Sequence, residues 1–147
     1  MRVGLILYGY NPIRARLEID VKPVLSWKVR ALQIQEVPAG TPISYLRTFV
    51  TDRPTRLATL AVGYADGFSR KLSNAGYVLT GGKACRVLGT VTMDMTVVDV
   101  TAAEADLQTE FAIIDDRRDA ANLADELGTV PYEVLCAIGV RVARVYV

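Results

Sequence analysis

The sequence has 147 residues, 51% hydrophobic and 22% charged, enough apolar side chain for one globular domain with its own core and too much for a disordered tail. The 17 Lys and Arg against 16 Asp and Glu leave a formal charge of +1, without the basic footprint that nucleic acid or an anionic membrane requires. Histidine is absent, which removes Ser-His-Asp and Cys-His catalysis and histidine zinc sites, so any chemistry falls to Tyr, Lys, Arg, Asp or Glu.

Residues 3–8 form a short apolar run closed by Gly9 and Asn11-Pro12, which reads as a strand buried on both faces and then a turn. The run is too short for a signal peptide and no stretch reaches membrane-spanning length, so a cytoplasmic protein with no membrane partner is expected. From Val24, and with clear alternation from Trp27, the chain predicts a long half-buried strand that Pro38-Ala39-Gly40 ends.

Further strands are expected over Ile43–Val50, Arg56–Val62, Gly76–Thr80, Ala84–Val100 with a bend near Gly89, and Phe111–Ile114. Cys85 and Cys136 lie far apart in apolar surroundings, a usage that predicts two buried reduced thiols and is too sparse for a metal cluster, so no metal is expected. One helix is clear, with Asp119 as N-cap, Leu123, Ala124 and Leu127 on one face and Gly128 past its end; a shorter one is expected over Tyr132–Ala137. Arg141–Val147 alternates again and predicts a last strand that closes the sheet. Successive short strands with turn signals indicate a mainly β domain, an antiparallel barrel or sandwich.

Three segments carry a more specific signal: Ile43-Ser44-Tyr45-Leu46-Arg47-Thr48-Phe49, Val62-Gly63-Tyr64-Ala65-Asp66-Gly67 and Val91-Thr92-Met93-Asp94-Met95-Thr96. In order and spacing they resemble the pyridoxal-phosphate-dependent alanine racemases. Arg2–Gly9 is similar to that family's last barrel strand and phosphate loop, while Val130–Leu135 and Arg141–Val147 are similar to its C-terminus. The resemblance implies a division at residues 1–12, the end of a (β/α)8 barrel, and 13–147, the C-terminal β-domain. A whole barrel takes about 250 residues, so these 147 residues are expected to be the back end. The family's cofactor-anchoring lysine has no counterpart among Lys22, Lys28, Lys71 and Lys83, and the chain alone is expected to be inactive.

The implied activity is interconversion of L- and D-alanine, which supplies D-alanine for peptidoglycan. Racemisation removes a proton from one face of an α-carbon and returns one on the other, so two acid/base groups must flank a carbanion held by an electron sink. By resemblance Tyr45 is the group on the L face, opposite the lysine; a phenol, with an ordinary pKa of about 10, can serve where a neighbouring cation lowers it. A lone tyrosine in a strand is more often a packing residue; the matching segments around Tyr45 argue for the catalytic role.

Arg2 matches an arginine that faces the pyridine nitrogen of pyridoxal phosphate and keeps it unprotonated. Gly4 and Leu5 match residues whose backbone N–H groups bind the cofactor phosphate, and Tyr132 matches a tyrosine whose hydroxyl reaches the same phosphate. Met93 matches a position whose backbone N–H lies near the substrate carboxylate, and Tyr64 and Asp94 match residues lining a narrow mouth that restricts the substrate to alanine. Tyr45 and Met93 of one subunit would serve the barrel of the other in a head-to-tail homodimer.

The sequence departs from the pattern at Leu46, where glycine is usual, at Thr92 for a common cysteine, and at Val140 and Ala143 for common prolines. Leu46 adjoins the proposed base, where a misplacement of about 1 Å can cost a factor of about a hundred in rate. Two alternatives stand beside the alanine racemase. A free-standing β-module would dock a partner protein through an exposed apolar patch around Tyr45 and Met93. A racemase of broader specificity would differ at the mouth.

Overall fold

The computed structural model describes residues 4–11 and 21–147. Its spine is β1 (Trp27–Val37), which pairs antiparallel with β8 (Glu110–Ile114) through its first half and with β4 (Thr55–Leu60) through its second. One strand serves two neighbours because it bends: the register shifts between Trp27 and Lys28 and again between Ala31 and Gln33. The second shift resolves a conflict in the sequence. Trp27, Val29 and Ala31 share one parity and Ile34 the other, and the extra residue returns Ile34 to the core side while leaving Leu32 outside.

The remaining strands are β5 (Tyr77–Thr80), β6 (Lys83–Arg86) and β7 (Thr96–Asp99), giving the sheet order β6-β5-β8-β1-β4-β7. The two ends of that order meet. Val87 bridges Val98, and the Leu88 amide donates to the Val97 carbonyl at 2.9 Å, so the sheet curls into a nearly closed barrel. Trp27, Leu60, Val78, Phe111 and Ile113 fill its interior. A separate two-stranded hairpin, β2 (Pro42–Ile43) and β3 (Phe49–Val50), is seated by Ile43 on Leu57 and Leu88.

Helix α1 (Ala120–Leu127) begins where Asp119 accepts from the amides of Ala121 and Asn122 at 2.8 and 2.9 Å while Asn122 Oδ1 accepts from the Asp119 amide at 3.0 Å. It ends at Gly128, whose φ of 68° is easy only for glycine. Helix α2 (Pro131–Ala137) opens with proline in the first turn, where no N–H is needed. Arg118, 1% exposed, locks α1 to the sheet. Its Nε and Nη2 donate to Glu126 at 2.9 and 2.6 Å, its Nη1 donates to the Tyr77 and Ile113 carbonyls at 2.9 and 3.1 Å, and its guanidinium lies 4.2 Å over the Tyr77 ring.

Four of the expected strands are corrected. Gly4–Tyr8 is a 3-10 turn, not a strand: it pairs with none of the described strands, and only Leu5 of the run is buried while Leu7 and Tyr8 face solvent. Ile43–Val50 is broken at its centre by a 3-10 turn, Tyr45–Arg47, because Ser44, Leu46 and Arg47 all have positive φ. Ala84–Val100 divides into β6 and β7, with the bend falling at Gly89 (φ 78°) as expected. Arg141–Val147 forms no strand; the sheet is already closed by Val87 and Val98, and Arg144 instead folds back onto the carbonyls of Ile138, Gly139 and Val142.

Cys85 is buried and free as expected, but Cys136 is exposed on α2. The segment 4–11 is part of the same core: Leu5 and Tyr10 are buried in it, and the Tyr10 hydroxyl accepts from the Ala120 amide at 3.2 Å. Burial pushes the Tyr10 phenol upward in pKa, against the opposing pull of that amide. Arg2 and the expected division between residues 12 and 13 lie outside the described residues.

Candidate functional site

The stretch Gly89–Asp94 organises the candidate residues by touching two turns at once. Toward the first turn, the Thr90 hydroxyl donates to the Tyr45 carbonyl at 3.2 Å and the Thr90 carbonyl accepts from Ser44 Oγ at 2.7 Å. Toward the second, the carbonyls of Thr92 and Met93 accept from the amides of Tyr64 and Ala65, both at 3.0 Å. Both contacts are so close that they demand glycine. A Cβ on Gly89 would lie 2.7 Å from the Ile43 carbonyl oxygen, and one on Gly63 would lie 2.3 Å from that of Thr92.

Tyr45 stands at the tip of the β2–β3 hairpin with 72% of its surface exposed, beside Leu46 at 79%. The Met93 side chain is half exposed, and its backbone N–H donates to no group among the described residues. A phenol and a free amide donor therefore project from segments pinned to one another. Tyr64 opens a 3-10 turn, Tyr64–Asp66, closed by Gly67 at φ 106°. An open groove beside it is lined by Tyr64, Gly67, Arg70, Lys71, Leu127 and Glu133, so the Tyr64 turn borders the two helices.

Asp94 is tied to that turn through a residue the motif reading did not single out. Arg141 places Nη2 2.6 Å from Asp94 Oδ1 and Nε 3.2 Å from Asp66 Oδ1. Asp66 Oδ2 in turn accepts from the Gly63 amide at 2.9 Å. Asp94, then Asp66, hold the Arg141 guanidinium above its ordinary pKa, so it stays charged at every working pH. The sequence carried the signal, an arginine in a segment of family similarity, but its alternation with valines read as strand instead.

The second group lies at the chain's other end. Gly4, exposed at φ 59°, would carry a Cβ 3.9 Å from the Tyr132 hydroxyl on the first turn of α2. The Gly4 and Leu5 amides stand at the open amino end of their 3-10 turn, out of reach of its own carbonyls. Tyr132 is half exposed, so its hydroxyl and the Gly4 backbone converge where an anion has access. Among the described residues no cluster of His, Cys, Asp and Glu could hold a metal ion, and no helix is long and apolar enough to cross a membrane.

Residues 24–146 match the family model described as "Alanine racemase, C-terminal domain". The alanine racemase of Aquifex aeolicus is 39% identical over 147 residues, covering all of this chain and 43% of that protein. The one from Halothermothrix orenii is 43% identical over 152 residues, covering 99% of this chain and 40% of its own. The crystal structure of the Bartonella henselae alanine racemase with covalently bound pyridoxal phosphate superposes with a TM-score of 0.91 at 33% identity, covering 98% of this chain and 40% of that one. The chain thus spans about two fifths of the proteins it matches. The comparisons lend no support to a free-standing docking module or to a racemase of broader specificity. The chain belongs to the alanine racemase family, as its C-terminal domain.

Proposed function

We propose that this chain is the C-terminal portion of a pyridoxal-phosphate-dependent alanine racemase that interconverts L- and D-alanine in the cytoplasm. The observation that carries the reading is the pairing of an exposed Tyr45 phenol with the free Met93 N–H on one pinned scaffold. A proton-transfer group and a carboxylate-binding donor must keep a fixed separation, and Gly89–Asp94 supplies it. The Tyr45, Leu46 and Met93 surface is exposed because it faces the barrel mouth of a partner subunit in a head-to-tail homodimer.

The residues at the chain's start fit a phosphate. Gly4 and Leu5 would offer backbone N–H groups and Tyr132 its hydroxyl, and the left-handed Gly4 lets the anion approach where a side chain would strain the backbone. Pyridoxal phosphate, when bound, supplies the electron sink that stabilises charge at the alanine α-carbon. Arg2, whose guanidinium does not give up its proton, would hold the pyridine nitrogen unprotonated.

Tyr45 Oη moves the proton on the L face, taking it from L-alanine or returning it to complete the D-to-L direction. Met93 N–H orients the substrate carboxylate. Tyr64 and Asp94, whose segments Arg141 ties together through Asp66 and Asp94, would line the mouth that restricts the substrate to alanine. The D-alanine formed is a cell-wall precursor.

The test joins the barrel of the Aquifex aeolicus racemase to residue 1 of this chain and follows alanine racemisation together with α-deuterium exchange from each enantiomer in heavy water. The chimera is expected to racemise alanine. Tyr45→Phe is expected to abolish exchange from L-alanine while exchange from D-alanine continues. Undiminished exchange from L-alanine in Tyr45→Phe would remove Tyr45 from the mechanism.

A further inference from the structure

The turn that presents Tyr45 adopts backbone that its residues disfavour. Ser44, Leu46 and Arg47 have φ of 61°, 64° and 49°, each in the left-handed region and each with a Cβ that crowds the following carbonyl. Three such residues around one exposed tyrosine persist only if neighbouring groups over-determine them. Ile43 anchors the turn at its start by packing on Leu57 and Leu88, but Tyr45, Leu46, Arg47 and Thr48 are exposed and have no core to rest on.

What holds them is a one-way chain of hydrogen bonds. Asn74 Nδ2 donates to Thr48 Oγ1 at 3.1 Å, and Thr90 Oγ1 donates to the Tyr45 carbonyl at 3.2 Å. The two threonine oxygens stand 3.4 Å apart. Thr90 has a single hydroxyl proton, spent on Tyr45, and Thr48 already accepts from Asn74, so the Thr48 proton points at Thr90. Each hydroxyl accepts once and donates once, which polarises the next bond in the same sense.

Both ends of the chain are fixed. Asn74, itself at φ 58°, accepts from the Gly89 amide at 2.6 Å through Oδ1, and its own amide donates to the Gly89 carbonyl at 3.1 Å. The Thr90 carbonyl accepts from Ser44 Oγ at 2.7 Å. Thr90 is the central link and the buried one, 4% exposed, so water cannot take over its hydroxyl's work.

We propose that Thr90 is a positioning residue for Tyr45: its hydroxyl, relayed from Asn74 through Thr48, clamps the left-handed turn so that the phenol is presented in one orientation. The proposal rests on the reading of Tyr45 as the proton-transfer group on the L face. It also accounts for Leu46, since a turn clamped from below tolerates a Cβ where glycine would otherwise be needed.

Thr90→Val keeps the shape and deletes the hydroxyl, Thr90→Ser keeps the hydroxyl, and Thr48→Val cuts the relay at an exposed site where folding is not at stake. In the 147-residue chain, nitrogen-15 relaxation of the amides at 44–48 is expected to show added motion in Thr90→Val and, less strongly, in Thr48→Val, with Thr90→Ser like the parent. In the barrel chimera, Thr90→Val is expected to slow α-deuterium exchange from L-alanine by about tenfold to about a hundredfold, with Thr90→Ser within about twofold of the parent. Exchange from D-alanine, which does not start at Tyr45, is expected to stay within about twofold in both.

Unchanged relaxation at 44–48 in both Thr90→Val and Thr48→Val overturns the proposal. So does a loosened turn with normal exchange from L-alanine, or an equal loss from both enantiomers, which marks general damage. Should Tyr45→Phe itself retain full exchange from L-alanine, the racemase role of Tyr45 fails and the proposal fails with it, an outcome separate from those above.

Discussion

Glu126→Gln tests whether the buried Arg118 cluster is a paired structure or merely a crowded one. Arg118 is 1% exposed and places four donor contacts: two on the Glu126 carboxylate, one on the Tyr77 carbonyl and one on the Ile113 carbonyl. Removing one partner of a buried ion pair costs about 3–5 kcal/mol because the remaining charge is stranded. The Glu126 side chain is 30% exposed, so water reaches the cut end, and the expected loss drops to about 2–3 kcal/mol.

Arg118→Met is expected to lose about 3 kcal/mol, since two buried carbonyls are orphaned at about 1–3 kcal/mol each while the cost of burying a charge is recovered. The double variant should then be no worse than Arg118→Met, a coupling of about 2 kcal/mol. The assay is urea unfolding followed by fluorescence of Trp27, the sole tryptophan and 5% exposed. At a slope of about 2 kcal/mol per molar, Glu126→Gln should lower the midpoint by roughly 1 M. A shift below about 0.2 M, or additive losses in the double variant, would refute the pairing.

At pH 8 a thiol-specific disulfide reagent should titrate one thiol in the native chain, exposed Cys136, and both in urea, because burial foremost and the Asp99 charge second push Cys85 from 9.0 to about 11. From pH 9 to 11 the unfolded chain gives up the Cys85 proton that the folded chain keeps, so stability should fall with rising pH by at most about 1.4 kcal/mol per unit. Cys85→Ala should flatten that part of the slope in urea titrations at pH 8 and 11, and an unchanged slope would exclude Cys85 as its source. Gly89→Ala puts a Cβ 2.7 Å from the Ile43 carbonyl oxygen at φ 78°, so it should cost at least about 2 kcal/mol in urea and lower chimera turnover more than substrate affinity. Asp119→Ala removes two acceptor contacts from the start of α1 and should cost about 1 kcal/mol, read as a fall in thermal midpoint of about 2–4 °C.

Local chemistry was legible where one residue type solves one local problem. Asp119 and Gly128 bracket α1 as their side chains dictate, and the bend expected near Gly89 falls there because only glycine fits against Ile43. The alternation from Trp27 marked β1, yet its change of parity at Leu32 became intelligible only through the register shift against β4. Alternation misled at Arg141–Val147, since a period of two is also produced by arginines turning to carboxylates and carbonyls on a coil.

The candidate site was legible in its motifs and not in its wiring. Tyr45, Tyr64, Met93 and Asp94 sit in recognisable segments, but that Thr90, Asn74 and Arg141 join them is a matter of contacts between residues 26 to 47 positions apart, which no local pattern encodes. The apolar run at 3–8 failed for the same reason. Composition alone implies burial on both faces, and the partners this presupposes are not among the described strands.

The embedding of Leu5 and Tyr10 in the β-domain's core bears on how such proteins can be recombined. A crossover placed after residue 12, ahead of the segment 24–146 that the family model matches, would pair a Leu5 and a Tyr10 from one parent with an α1 from another and leave the Ala120 amide dependent on a foreign hydroxyl. A crossover ahead of Gly4 carries the whole contact set across in one piece. Natural and engineered exchanges between relatives should therefore tolerate joints upstream of the first turn and be purged downstream of it, so that the unit of inheritance begins before the segment that the family model matches.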